Sequence, residues 1–297
     1  MAEQKSLNST GKASVARLFD RLIAGFNAAG SSWIFVMMAL LTSDVVCRAL
    51  FNSPIKGVPL LIELSMVVIV FMQLPSAIRS GRLTRSDILL ARLVKRRPSI
   101  GITMRTIYDA LGVILMIIIF IYTWPTFFKV FERGTHEGLE GDFALPTWPF
   151  KLLILVGSAL CTMQFLRAFR DGVIDLLRLR AEGAFESRRI VIIGALFLGS
   201  LAILLGLAKF TEIEDAGIGV VSIFFVLLFV YIGVHVGVAL SLISFVCLWG
   251  VRGDINLGGK LVALSTGESM QQYEFGVIPL FVLMGLLVSI SGIGRDT

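Results

Sequence analysis

The sequence predicts an all-α, polytopic integral membrane protein with about seven transmembrane helices and amphipathic interfacial helices. Its 297 residues are 56% hydrophobic and only 16% charged, and the mean hydropathy is +0.86. Soluble globular proteins carry about 25% charged residues, because polar groups must cover their surface. The apolar residues form runs close to the 20 or so that cross a bilayer as a helix, without the alternation of barrel strands. The composition therefore excludes most classes of soluble enzyme.

Seven apolar segments account for the predicted spans. Five are separated by polar residues and each predicts one helix: 33–51, 58–78, 107–128, 150–166 and 190–208. The last predicted span is 276–290.

The sixth segment, 217–250, is 34 residues long. One straight helix of that length would overshoot the bilayer core, since a helix rises about 1.5 Å per residue. The run Gly233-Val-His-Val-Gly237 at its middle leaves two interpretations open. We favour one long, bent span over two short spans joined by a tight turn.

The distribution of charge predicts the topology. Four Lys or Arg residues lie in 1–30, eight in 79–105 and six in 167–189, together 18 of the 27 in the chain. Two predicted spans separate each basic segment from the next, and the loops around 132–142 and 212–215 are rich in acidic residues. Because basic segments are retained in the cytoplasm, the N-terminus is expected there. The net charge of +6 is thus a topological and lipid-binding signal, and we expect no nucleic-acid partner.

Two of the basic segments contain apolar residues at helical spacing. In 15–26 and 87–97 charged residues lie between these apolar residues. This pattern is typical of amphipathic helices lying in the membrane interface. We therefore treat residues 1–30 as a cytoplasmic amphipathic segment that precedes the first span.

Ionisable residues within spans are costly and mark candidate sites. Asp44 and Arg48 lie four apart on one helix face, and Glu63 follows across a short loop. Arg105 and Asp109 repeat the four-residue spacing. We expect these five residues to form structural ion pairs within the protein or at a subunit interface, while a substrate or proton path is the less favoured interpretation.

Five further positions are candidates for helix bends or close packing. His235 stands between Gly233 and Gly237 in an apolar run, and a buried, hydrogen-bonded histidine is favoured over a ligand. Pro279 can kink a helix, and Gly285 can admit a neighbouring helix. The three cysteines lack the spacing of a zinc site or a disulfide framework. We therefore expect no catalytic residues, no metal site and no enzyme.

Several short motifs occur in order along the predicted four-span region. They are Asp44-Val-Val-Cys-Arg48, Pro54, Glu63-Leu64, Arg85-Ser-Asp87 and Leu145-Pro146-Thr-Trp148-Pro149. With these motifs, residues 31–170 resemble the DctQ-like small membrane subunit of the tripartite ATP-independent periplasmic (TRAP) transporters. This resemblance implies a four-span permease unit, which we place at 31–188.

Two further motifs lie near the end of the sequence, Ile278-Pro279-Leu-Phe-Val-Leu-Met-Gly285 and Ser291-Gly-Ile-Gly294. With them, residues from about 217 resemble the start of the DctM-like large subunit. Gly233-Val-His235 stands where that family often has Gly-x-Pro. We therefore assign 189–216 to a joining transmembrane helix with a periplasmic loop. The resemblance implies that residues 217–297 are the N-terminal fragment of a large unit.

The resemblance implies a permease component of an ion-gradient-driven transporter for organic acids in the bacterial inner membrane. Its expected partners are the lipid bilayer, a periplasmic solute-binding protein and the remainder of the large subunit. Sodium coupling is implied by the family alone, with ion sites outside this sequence. We expect scaffold and anchoring roles, and the alternative function is a membrane anchor or assembly protein without a transport role.

Overall fold

A computed structural model describes residues 2–83, 98–139, 143–181, 187–210, 215–268 and 273–291. Helices dominate these residues. In chain order the elements are α1 (Ala2–Phe51), α2 (Val58–Arg79), α3 (Pro98–Arg133), β1 (His136–Leu139), β2 (Phe143–Pro146), α4 (Trp148–Ala181), α5 (Ser187–Phe210), α6 (Asp215–Ile232), α7 (Val236–Arg252), α8 (Ile255–Glu268) and α9 (Tyr273–Ser291).

Four helices are long and apolar enough to cross a membrane, and they coincide with the first four predicted spans. They are Arg17–Phe51, Val58–Arg79, Ser99–Arg133 and Trp148–Ala181. The other predicted spans fall in shorter apolar helices, namely Leu198–Leu207, Gly217–Ile232, Val236–Arg252 and Phe275–Ile290. The structure therefore supports an all-α membrane protein and four of the seven predicted spans.

The first helix differs from the expectation of a separate amphipathic segment. The backbone is helical without a break from Ala2 to Phe51, so the segment 15–26 and the first span form one helix. Gly30 lies where the break was expected, and a Cβ atom there would sit 3.0 Å from the Cβ of Met72 in α2. The second predicted amphipathic helix, 87–97, lies entirely outside the described residues.

A short antiparallel hairpin of β1 and β2 joins α3 to α4 and is absent from the all-α prediction. Leu139 pairs with Phe143 and His136 pairs with Pro146. At the base of the hairpin, the backbone N–H of Thr147 donates to the carbonyl of Thr135 at 3.2 Å. The Thr147 hydroxyl donates to the same carbonyl at 3.0 Å. These bonds join the residue that closely follows α3 to the residue that precedes α4.

The chain divides into two compact units. The first comprises Met1–Ser76, Phe127–Gly157 and Gly267–Thr297. Its apolar core joins Met37 and Leu41 of α1 to residues of α2, and Val277 and Leu280 of α9 pack against this core. Gly157 of α4 allows close approach to α2, because an added Cβ would lie 2.7 Å from the carbonyl oxygen of Phe71.

The second unit comprises Ala77–Thr126 and Ser158–Thr266. Within it α3 and α4 meet where Gly112 faces the ring of Phe165, and a Cβ at Gly112 would lie 2.6 Å from that ring. The helix α5 packs against α7 and α6.

The helices α6 and α7 form an antiparallel hairpin, so the favoured single bent span over 217–250 is wrong. The Ser222 hydroxyl lies 2.8 Å from the Cys247 sulfur, although the two residues are 25 positions apart. This contact requires the second helix to fold back along the first. Each helix is roughly 26 Å long at 1.5 Å per residue, slightly less than a bilayer core of about 30 Å.

Candidate functional site

The first candidate site is the ion pair at the end of α1. Asp44 and Arg48 share one face of the helix, and Nη2 of Arg48 donates to Oδ2 of Asp44 at 2.8 Å. The second carboxylate oxygen of Asp44 accepts the backbone N–H of Ile55 at 2.7 Å. Only 1% of the Asp44 side chain is exposed, whereas 57% of the Arg48 side chain is exposed. One buried carboxylate therefore ties the end of α1 to the loop that leads into α2.

Glu63 does not complete the expected three-charge network. It is half-buried one turn into α2, and within the described residues it makes no ion pair with Arg48. Arg48 bonds to Asp44 alone among the described residues, and 57% of its side chain is exposed. The second oxygen of Asp44 accepts the backbone N–H of Ile55. The pair is local to α1 and its loop.

Arg105 and Asp109 do not pair either, despite their four-residue spacing. Arg105 is exposed, whereas Asp109 is 7% exposed. Asp109 has another polar or electrostatic partner. Within the described part of the chain, the two residues therefore occupy different environments on α3.

The second candidate site is the turn between α6 and α7. Gly233 has a φ of +108°, a conformation that favours glycine because it lacks a Cβ. The N–H of Val234 donates to the carbonyl of Phe229 at 3.0 Å, and that of Gly233 donates to Val230 at 3.1 Å. These two bonds are a Schellman motif, which ends a helix with glycine in this position and an apolar residue after it.

Side chains from α3 and α4 hold this turn. The Tyr108 hydroxyl donates to the carbonyl of Ile232, the last residue of α6, at 3.1 Å. The ring of His235 meets the ring of Phe165 edge to face, with centroids 6.2 Å apart. Tyr108 is 1% exposed and His235 is 8% exposed. The turn is therefore buried, and part of the carbonyl end of α6 is satisfied by another helix.

The remaining predicted packing positions lie in different surroundings. Gly237 is exposed on α7, with no atom within 4 Å of an added Cβ, and Gly285 is equally open on α9. Pro279 lies inside α9 rather than at its end. The exposed apolar stretch Phe281–Ile290 follows it and includes Phe281, Val282, Met284, Leu286, Leu287 and Ile290. The structure thus brings His235 and Gly233 together, but not Gly237, Pro279 or Gly285.

Tyr108 and Phe165 contact the turn, and the sequence analysis did not identify either residue. An aromatic residue within an apolar run carries no sequence signal that it will contact a segment more than 60 residues later in the chain. The apolar Val234 directly after Gly233 was a usable signal for the turn itself, since the Schellman motif buries that side chain against the helix it ends. Within the described residues, no group of three or more His, Cys, Asp or Glu side chains could hold a metal ion.

Comparison with known families identifies part of this arrangement. Residues 37–175 match the model for tripartite ATP-independent periplasmic transporters, DctQ component. The comparison with curated proteins found no match. The matched residues include α2, α3, the β hairpin and most of α4, as well as Asp44, Arg48, Tyr108 and Phe165.

The DctQ family consists of transporter components rather than enzymes. In TRAP systems it works with a periplasmic binding protein and a large DctM subunit. Together with the candidate spans, the match points to the bacterial inner membrane. Over residues 37–175 the chain therefore carries a DctQ domain, the domain of a membrane component of TRAP transporters.

Proposed function

We propose that this chain is a permease component of an ion-gradient-driven TRAP transporter for organic acids, in which the DctQ domain is followed by the start of a DctM-like unit. The observation that carries the proposal is the contact of the DctQ domain with the α6–α7 hairpin. Tyr108 and Phe165 belong to the domain, whereas Ile232 and His235 lie beyond it. These buried contacts support the proposal, because a scaffold for the downstream helices must touch them directly.

The proposed role is scaffolding and anchoring rather than substrate binding. The contacts between the domain and the hairpin are apolar packing and one hydrogen bond to a backbone carbonyl. Asp44 is engaged by Arg48 and by Ile55, so its charge has a structural partner. Sodium and substrate sites are proposed to lie in the remainder of the large subunit.

The proposed orientation places the N-terminus and the basic segments in the cytoplasm. The β hairpin between α3 and α4 is then periplasmic, on the side where a solute-binding protein delivers its ligand. The joining helix α5 crosses outward, so that the α6–α7 hairpin enters from the periplasmic face.

Co-purification and uptake measurements test the proposal together. The full chain is extracted in detergent after co-expression with a secreted solute-binding protein and a large subunit of the TRAP type from the same genome. We expect both to co-purify, and we expect deletion of the gene to abolish accumulation of an organic acid in cells. Uptake unchanged by deletion, with neither partner bound, would contradict the transporter assignment.

The same experiment tests the alternative of an anchor or assembly protein. A pure anchor would retain its partners while its deletion altered their abundance or location rather than any uptake. A transport component instead loses uptake when the turn contact is weakened, even where the partners remain present.

A further inference from the structure

The guanidinium of Arg48 is only partly used by the protein. One of its five N–H donors bonds to Asp44, and the structure gives it no further polar partner within the described residues. The side chain is 57% exposed. Most of its donors are therefore directed away from the protein.

Arg48 lies where a membrane surface is expected. It is in the last turn of α1, just before the end of the candidate span Arg17–Phe51. The loop after it leads directly into the candidate span Val58–Arg79. Arginine near the end of a span extends its charge to the headgroup level.

Exposed apolar side chains surround the charge along the chain. Leu50 is 74% exposed and Phe51 is 72% exposed, and Val45 and Ile55 are also exposed. A water-soluble partner would not cover these apolar side chains, which would stay in contact with lipid. A phospholipid satisfies both features, because its phosphate accepts hydrogen bonds and its acyl chains cover apolar surface.

Asp44 fixes the position of the cation. Its carboxylate is buried, it bonds to Nη2 of Arg48 at 2.8 Å, and it is held in turn by the backbone N–H of Ile55 at 2.7 Å. A guanidinium held at one edge presents its remaining donors in a fixed plane, which suits two oxygens of one phosphate.

We propose that Arg48, positioned by Asp44, binds the phosphate of an anionic phospholipid at the loop between α1 and α2. Lys56 directly follows Ile55 in this loop and is exposed. Its positive charge favours an anionic headgroup over a zwitterionic one.

The test is a titration of the full chain in detergent with dioleoylphosphatidylglycerol, followed by native mass spectrometry. The double variant Asp44→Asn/Arg48→Gln removes both charges without leaving a buried carboxylate unpaired. Binding of the first lipid is expected to weaken about fivefold, the effect of one basic residue near an anionic surface. The control Lys129→Gln removes an exposed cation of α3 and is expected to bind as the wild type does.

Several results would overturn the proposal. These are an undiminished affinity in the double variant, an equal loss in Lys129→Gln, equal binding of dioleoylphosphatidylcholine, or competition by soluble glycerol phosphate. Since Lys129→Gln changes the net charge and the double variant does not, a general charge effect gives the opposite ranking. If the double variant does not fold, Arg48→Lys keeps the charge but loses the planar fork. Its affinity is then expected to fall at least about twofold, and wild-type affinity would count against the site.

Discussion

The hydroxyl of Tyr108 lies 3.1 Å from the backbone oxygen of Ile232, 124 positions later in the chain. The donor belongs to the DctQ domain and the acceptor ends α6. A single side chain thus satisfies one of the carbonyls that the local backbone leaves without a partner at this helix terminus.

Tyr108→Phe is expected to destabilise the protein by about 1 kcal/mol, because it leaves the partly buried carbonyl of Ile232 without its donor. The measurement is reversible unfolding in mixed detergent micelles. Tyr122→Phe is the matched control, since the Tyr122 hydroxyl bonds to the Asn256 side chain at 3.2 Å in an exposed setting. Equal losses of stability in the two variants would show that the bond to Ile232 contributes no more than an exposed hydrogen bond does.

Gly233→Ala is expected to cost about 1–3 kcal/mol, because a φ of +108° strains any residue that has a Cβ. Gly237→Ala serves as the control, since its Cβ would meet open space and alanine favours the helix. Unfolding of both variants is followed by tryptophan fluorescence. Equal stability of the two variants would contradict the hairpin turn and favour a continuous helix.

Gly157→Ala is expected to destabilise the packing of α4 on α2 by about 1–3 kcal/mol, the usual cost of overpacking. The new Cβ would lie 2.7 Å from the Phe71 carbonyl oxygen, and a backbone atom cannot move aside as a side-chain tip can. Gly285→Ala, which meets no atom within 4 Å, is expected to be neutral or slightly stabilising. A harmless Gly157→Ala would mean that the two helices lie further apart.

Asp44→Ala is expected to cost about 2–3 kcal/mol, because it removes a charged hydrogen bond and leaves the N–H of Ile55 without its acceptor. Asp171→Ala removes the partner of Arg170, in a pair at 2.9 Å whose side chains are both largely exposed. That control is expected to change stability by about 0–1 kcal/mol, as exposed pairs do. The comparison of unfolding midpoints decides whether burial, rather than pairing alone, gives Asp44 its importance.

The proposed orientation predicts which single cysteines a membrane-impermeant maleimide can reach in intact cells. In a background without native cysteines, Glu137→Cys in β1 is expected to be labelled. Arg180→Cys at the end of α4 is expected to react only after permeabilisation. Both positions are exposed, so accessibility within the protein does not distinguish them. The reverse pattern would place the N-terminus in the periplasm.

The first four spans could be predicted from sequence because hydropathy and length are local properties. The pairing of Asp44 with Arg48 follows from helical periodicity for the same reason. Arg105 and Asp109 have the same spacing, but the burial of Asp109 depends on the neighbours of α3, which periodicity does not contain. Glu63 was predicted to join Arg48 because only a short loop separates their helices, but closeness along the chain does not determine whether two side chains meet.

The hairpin over 215–252 shows a different limit. Hydropathy stays high across Gly233 because Val234 is apolar. No polar residue therefore marks the break between α6 and α7. Its signal lies in backbone conformation, where glycine ends a helix and an apolar residue follows. The contacts that hold the turn come from Tyr108 and Phe165, and no local pattern connects them to it.

The closure between Thr135 and Thr147 has a consequence for how this protein can change. The backbone and hydroxyl bonds hold the two helix ends together at the base of the β hairpin. The packing of the helices therefore does not depend on the length and composition of the hairpin beyond these bonds. Sequence can be gained, lost or exchanged there without moving α3 relative to the start of α4. The region is therefore a place where an epitope or reporter can be inserted while the helical scaffold stays unchanged.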